Sequence, residues 1–212
     1  MKDIVVFFDL YDTLIQVNRG YLEKYFDKKI DKLGDLGILK DAKMTIDKIV
    51  SINPLLLKKY SIKEMVKYYE DCMNDAMVNV NDNILKMLEE LTCEGIRLCI
   101  ISDAAFTDIK NFDKSPLSKY FNKKIFSCEI GYAKPDSMIY EKAKEVMGNP
   151  KKCIFVGDGG HDELYGARKA GMKTIKVNWF INRRNKKINL YANYCIKNPK
   201  NLMEIVKKQI KV

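Results

Sequence analysis

Histidine is almost missing from this chain: His161 is the only one among 212 residues. The six cysteines, Cys72, Cys93, Cys99, Cys128, Cys153 and Cys195, form no C-x-x-C pair. A zinc site therefore has few ligands to draw on, and buried, reduced thiols are the expected state of the cysteines. No apolar run approaches the roughly 18 residues that a membrane span needs. Met1-Lys2-Asp3 followed by the short run Ile4 to Phe8 also lacks the profile of a signal peptide. A soluble, cytoplasmic protein with no membrane partner is expected. Repeats and low-complexity tracts are absent too; Lys24 to Ile30 echoes Lys119 to Ile125 only once, in different surroundings. The densest basic run, Arg183-Arg184-Asn185-Lys186-Lys187, contains no aromatic residue to stack on bases. The formal charge of +10, from 38 Lys and Arg against 28 Asp and Glu, is spread over most of the chain. No nucleic-acid partner is expected from it, although a general positive field helps to attract anionic substrates. Oligomeric state is not legible.

What is present is a series of short, unalternating apolar runs: Ile4 to Phe8, Leu98 to Ile101, Cys153 to Val156 and Thr174 to Val177. Strands buried on both faces read this way, and each run leads into a polar turn or helix. Between them lies helix punctuation. Asn81 is placed to cap a helix whose Ile84, Leu85, Leu88 and Leu91 share a face and which stops at Gly95. Pro135 suits a first helical position, with Gly148 and Pro150 ending that helix, and a further helix runs from Asp162 to Gly171. The pattern predicts a doubly wound, Rossmann-like α/β core with a parallel sheet, in which ligands bind outside the carboxyl ends of the strands.

Residues 16–80 break the alternation with helical patterning. Ser61-Ile62-Lys63-Glu64 is a capping box opening a helix through Met65, Val66, Tyr69 and Cys72, while Gly34, Gly37 and Pro54 punctuate the earlier part. This stretch reads as an inserted all-helical cap subdomain, with 1–15 and 81–212 forming the core. Placed directly after the first strand, it sits where a substrate-selecting lid belongs. Helices after a strand often only cover a sheet, and that alternative stays open. Tyr21, Lys24, Lys58 and Tyr68 are candidates to line a cleft, and equally candidates for packing or solvated faces.

Four polar clusters fall at element boundaries. Asp9-Leu10-Tyr11-Asp12-Thr13 follows the first strand and Ser102-Asp103 the second. Lys134-Pro135 opens a helix, and Gly157-Asp158-Gly159-Gly160-His161-Asp162 follows a third strand. Each alone reads as a cap or turn, but all four converge on one side of such a sheet.

In this order the four clusters resemble the haloacid dehalogenase superfamily, over nearly the whole chain. Cys128 to Asp136 and Gly166 to Gly171 look like family segments as well, and the helical insertion lies where many members carry a cap. The resemblance implies a hydrolase in which Asp9 attacks the substrate and forms an aspartyl intermediate. Ser102 would donate to a phosphoryl oxygen, and Lys134 would neutralise charge on that group and on Asp9. A magnesium ion would be held by Asp9, the Tyr11 backbone carbonyl and Asp158, with Asp162 as an orienting residue or additional ligand. The implied partner is a small phosphorylated substrate.

One residue departs from the pattern. Phosphatases of the superfamily usually carry a second Asp two residues after the nucleophile as general acid, and Tyr11 stands there. Losing a positioned acid typically costs about 10² to 10⁴ in rate. Three replacements are open: Asp12, Tyr11 itself or a cap residue, or a leaving group that departs unprotonated. Asp12 serves only if the turn rotates it toward Asp9, since residues three apart do not share a strand face. Tyr at this place is also familiar from L-2-haloacid dehalogenases, so halide displacement is the alternative activity. Those enzymes, however, typically have Ser-Asn where this chain has Gly157-Asp158. A weakened protein that only binds phosphate is the third reading.

Overall fold

The computed structural model describes residues 3–22, 41–181, 183 and 186–211. Gly34, Gly37 and Lys24, named above, lie outside these, as do Arg184 and Asn185. Six strands, β1 (Ile4–Phe8), β2 (Arg97–Ser102), β3 (Lys123–Phe126), β4 (Lys152–Gly157), β5 (Lys173–Val177) and β6 (Tyr194–Ile196), form one sheet in the order β3-β2-β1-β4-β5-β6. All neighbours are parallel. The four strands legible as apolar runs are the central ones. The two edge strands carry Lys123, Lys124 and a three-residue Tyr-Cys-Ile run, too short and polar to read as buried strands.

Helices cover both faces because β1 sends alternate side chains to opposite sides. Val5 and Phe7 pack with Phe155 against Ile139, Tyr140 and Ala143 of α6 (Ser137–Val146) and Leu164 and Ala167 of α7 (Glu163–Lys169). Ile4, Val6 and Phe8 face α3 (Asp82–Cys93) and α9 (Leu202–Lys211). The same apolar cluster continues into α1 (Ala42–Ile52) and α2 (Ile62–Val78), through Ile46, Ile49, Met65 and Met73. Short helices α4 (Phe106–Ile109), α5 (Ser127–Ile130) and α8 (Lys186–Leu190) are the remaining α-helices among the described residues. Among the described residues no helix is long and apolar enough to cross a membrane.

The expected caps are present: Asn81 accepts from the Asn83 N–H, and Ser61 and Glu64 close a reciprocal capping box. Pro135 requires a correction. It precedes the helix rather than opening it, because Asp136 accepts from the Met138 N–H and takes the capping position, so α6 begins at Ser137. The cysteines also differ in part from expectation. All six are free thiols, but only Cys99 and Cys128 are buried, while Cys93 and Cys195 are exposed.

From β1 the chain crosses first toward β2 and later, on the other side, toward β4, so the strand order reverses between β1 and β4. A crevice outside the carboxyl ends of those strands is where such sheets bind ligands. Asp9 follows β1 there, and Asp158 follows β4.

Candidate active site

Asp9 remains in register with the sheet, its N–H donating to the Val156 carbonyl at 2.9 Å. The chain then folds on itself. Leu14 and Ile15 N–H both return to the Leu10 carbonyl, and the Asp12 N–H donates to Ile15 O at 2.7 Å. Asp12 closes this turn with φ of +56°, a left-handed conformation that L side chains adopt uncommonly. That rotation is what straight-strand geometry lacked: it brings Asp12 to 3.9 Å from Arg183, whose Nε donates to Asp158 at 2.5 Å.

Three buried carboxylates, Asp9, Asp158 and Glu163, have ligand atoms within 4.8 Å of one another. The third member is thus Glu163, and the expected Asp162 is exposed and outside the trio. His161 and Asp162 take consecutive left-handed conformations, φ +50° and +52°, which turn the chain so that Glu163 enters α7 facing inward. Only its adjacency to the Gly-Asp-x-x-x-Asp motif signalled Glu163 in the sequence.

Lys134 is the hub of this cluster. Its ammonium pairs with Asp9 and, at 2.7 Å, with Glu163 Oε2. The other Glu163 oxygen accepts the Gly159 N–H at 2.8 Å, so Glu163 ties the lysine to the loop after β4. Gly157 makes room for it, since a Cβ there would lie 2.2 Å from Glu163 Oε1. Asp103 accepts the Lys134 backbone N–H at 2.9 Å and lies 3.6 Å from His161 Nδ1. Burial acts to discharge Lys134, but the Asp9 and Glu163 carboxylates outweigh it and hold the ammonium protonated, well above its ordinary range. Burial, followed by the Asp158 charge, raises the Asp9 carboxyl against the lowering effect of Lys134.

Ser102 ends β2 fully buried, and its hydroxyl has no hydrogen-bond partner among the described residues. Buried polar atoms are seldom left so, and a ligand oxygen would satisfy it. The Thr13 hydroxyl is likewise buried and unpartnered, beside the nucleophile turn. Tyr11 directs its phenol elsewhere, toward Asp108 and Tyr69 of α2; burial first and Asp108 second raise its pKa well above the ordinary phenol range. Asp12 is pushed up to about 6, mainly by burial, with Arg19 opposing. Tyr21 and Tyr68 stack on one another at 4.7 Å, and Tyr21 on Tyr60 at 4.5 Å, while Lys58 is exposed. Packing and solvation account for these three residues.

The donor set suits a hard divalent cation: all-oxygen, with Asp9 and Asp158 close enough to raise one another's energy when ionised. Glu163 gives both oxygens to Lys134 and Gly159, and Asp158 gives both of its own to Gly160 and Arg183, so a cation seated in this trio shares oxygens that are already engaged.

Comparisons with known proteins follow the same lines. The family profile of haloacid dehalogenase-like hydrolases matches residues 5–171. A pyrophosphatase PpaX from Bacillus mycoides is 25% identical over 200 residues, covering 87% of this chain and 87% of that protein. A glyceraldehyde 3-phosphate phosphatase from Methanothermobacter thermautotrophicus is 30% identical over 118 residues, 54% of this chain and 50% of the relative. Among solved structures, the L-2-haloacid dehalogenase RSc1362 superposes with a TM-score of 0.76 at 19% identity, over 96% of this chain and 98% of the other, a likeness of fold.

Proposed function

Given that the chain belongs to the haloacid dehalogenase-like hydrolases, we propose that it is a magnesium-dependent phosphatase acting on a small phosphorylated metabolite through an aspartyl-phosphate at Asp9. The observation that carries this reading is Asp158, a buried carboxylate beside Asp9. A halide-displacing site has no need of a second buried acid there, whereas a cation-assisted phosphoryl site does. Relatives named as phosphatases support the same choice.

An Asp9 carboxylate oxygen attacks phosphorus, and the bond from phosphorus to the leaving oxygen breaks, that oxygen keeping the electron pair. Water then attacks phosphorus, the bond to Asp9 breaks, and inorganic phosphate leaves with the aspartate restored. Lys134, held between Asp9 and Glu163, aims the nucleophile and balances phosphoryl charge. The Ser102 hydroxyl donates to a phosphoryl oxygen, which gives its buried oxygen a partner. Asp9, Asp158 and the Tyr11 carbonyl hold magnesium, which when bound offsets charge on the phosphoryl oxygens; Asp162, exposed, is assigned at most an orienting role. Asp12 is the candidate acid for the leaving group, since its turn rotates it into the cluster and its carboxyl, near 6, retains protons into the neutral range. Residues 16–80 act as the cap over the core of 1–15 and 81–212. Supporting that role, Tyr69 of α2 meets Asp108 beside the Tyr11 phenol and is itself met by Thr45 of α1.

The runner-up, L-2-haloacid dehalogenation, is favoured by Tyr11 alone. Phosphate release from p-nitrophenyl phosphate and halide release from 2-chloropropionate, each with and without magnesium, separate the two. Magnesium-dependent phosphate release that disappears in Asp9→Asn is expected. Metal-independent halide release without phosphate release would replace this reading with the runner-up.

A further inference from the structure

The stretch after β5 touches both halves of the site. Trp179 Nε1 donates to the Thr13 carbonyl of the nucleophile turn at 2.8 Å. The buried Lys176 ammonium donates to Arg183 O at 2.7 Å and to Asn189 Oδ1 at 3.0 Å, which fastens the backbone that carries Arg183. Ile188 packs where a Cβ on Gly159 would fall, 2.4 Å from its Cγ2. Arg183 itself places its guanidinium between Asp158 and Asp12. In the sequence it was only part of a basic run.

Both oxygens of Asp158 are engaged. Oδ1 accepts the Gly160 N–H at 2.9 Å, and Oδ2 accepts Arg183 Nε at 2.5 Å. A cation that takes Asp158 as a ligand must share one of these oxygens. The amide is neutral and tolerates sharing, but the guanidinium is a second positive charge on the same carboxylate and is repelled by the newcomer. Arg183 is also one-quarter exposed at the side chain, so it has solvent to move into, and Asp12 stands ready as its other partner.

We propose that Arg183 is a positioning residue that competes with magnesium for Asp158 and thereby sets the affinity of the site for the metal. The inference rests on the magnesium-dependent reading above. The guanidinium offsets the repulsion between Asp158 and Asp9 while the metal is absent, and yields Asp158 when a divalent ion arrives. An ordinary structural role predicts that removing the arginine weakens metal binding, because the ligand loses its orientation. Competition predicts the opposite sign.

The test is magnesium titration of the full chain by calorimetry, in the absence of substrate, with emission of Trp179, the chain's only tryptophan, read in parallel. Arg183→Gln is expected to bind magnesium about tenfold more tightly than wild type. Arg183→Lys, which keeps the charge but loses the planar fork, should fall between them. It carries the test should Arg183→Gln fail to fold by circular dichroism. Lys169→Gln, which removes the same charge from an exposed site on α7, should leave the affinity unchanged. Wild-type emission should change with the calorimetric midpoint, and Asp158→Asn should abolish both signals. Equal or weaker binding by Arg183→Gln overturns the proposal, as does a matching gain in Lys169→Gln, which would make it a matter of net charge. Wild type that binds magnesium but hydrolyses no phosphate ester contradicts the proposed activity and leaves this inference standing. Wild type that binds none overturns the inference whatever the activity.

Discussion

Lys134 and Arg183 each stand between two carboxylates, yet they are built for different service. The Lys134 side chain is 4% exposed, and its partners Asp9 and Glu163 are 7% and 1% exposed. Its backbone is fixed by Asp103, and Glu163 is fixed in turn by Gly159. Arg183 is 25% exposed, its second carboxylate lies 3.9 Å away, and its backbone is tied through Lys176. A buried cation among carboxylates cannot leave without stranding charge, whereas a half-open one can exchange partners cheaply. The site therefore has one permanent cation on the Lys134 side and one adjustable cation on the Arg183 side.

The sharpest way to break this contrast is Lys134→Met. Stranding Asp9 and Glu163 should cost about 3–5 kcal/mol in denaturant unfolding and turnover should fall at least about 10³-fold. Adding Glu163→Gln should recover much of the stability and none of the activity.

Asp108 sharpens it next, as a buried carboxylate set among tyrosine hydroxyls with Arg19 nearby. Burial pushes it up to about 6 from an ordinary 3.8. Between those values the folded chain keeps a proton that the unfolded chain releases. Its favourable contribution is therefore complete below the unfolded value and is lost as pH rises through about 6. Asp108→Asn keeps an acceptor for the Ala105 N–H and cannot ionise. Unfolding free energies should show the variant gaining on wild type by about 2–3 kcal/mol between acid and neutral pH. A constant difference across that range would contradict the account.

Gly157→Ala drives a methyl into Glu163 and the Phe155 ring. It should cost about 2 kcal/mol of stability, measured by denaturant unfolding, and lower activity by shifting Lys134. Arg183→Gln should cost the least, about 1 kcal/mol or less. A loss as large as that of Lys134→Met would erase the distinction between the two cations.

The legibility of these features in the sequence follows burial. β1, β2, β4 and β5 lie inside the sheet and show as apolar runs, while β3 and β6 at its edges pair on one side only and need no such run. Asp9, Ser102, Lys134 and Asp158 were readable because each ends a strand, follows one or precedes a helix at the same edge of the sheet. Glu163 was not, because two successive left-handed residues decide which acid of Asp162-Glu163 turns inward, and neither is glycine. Asp12 was half-legible: its proximity to Asp9 in the chain was plain, but its rotation depends on the positive φ at its own position. Arg183 needed the tertiary return of the chain from β5 to the nucleophile turn, which no local pattern records.

The central claim is that Asp9 carries the phosphoryl group. Wild-type protein mixed with p-nitrophenyl phosphate and magnesium, quenched in acid and mapped by peptide mass spectrometry should show one phosphoryl group on the peptide containing Asp9, absent from Asp9→Asn. Magnesium-dependent turnover with no phosphoryl group trapped at Asp9, or with turnover intact in Asp9→Asn, would contradict the account.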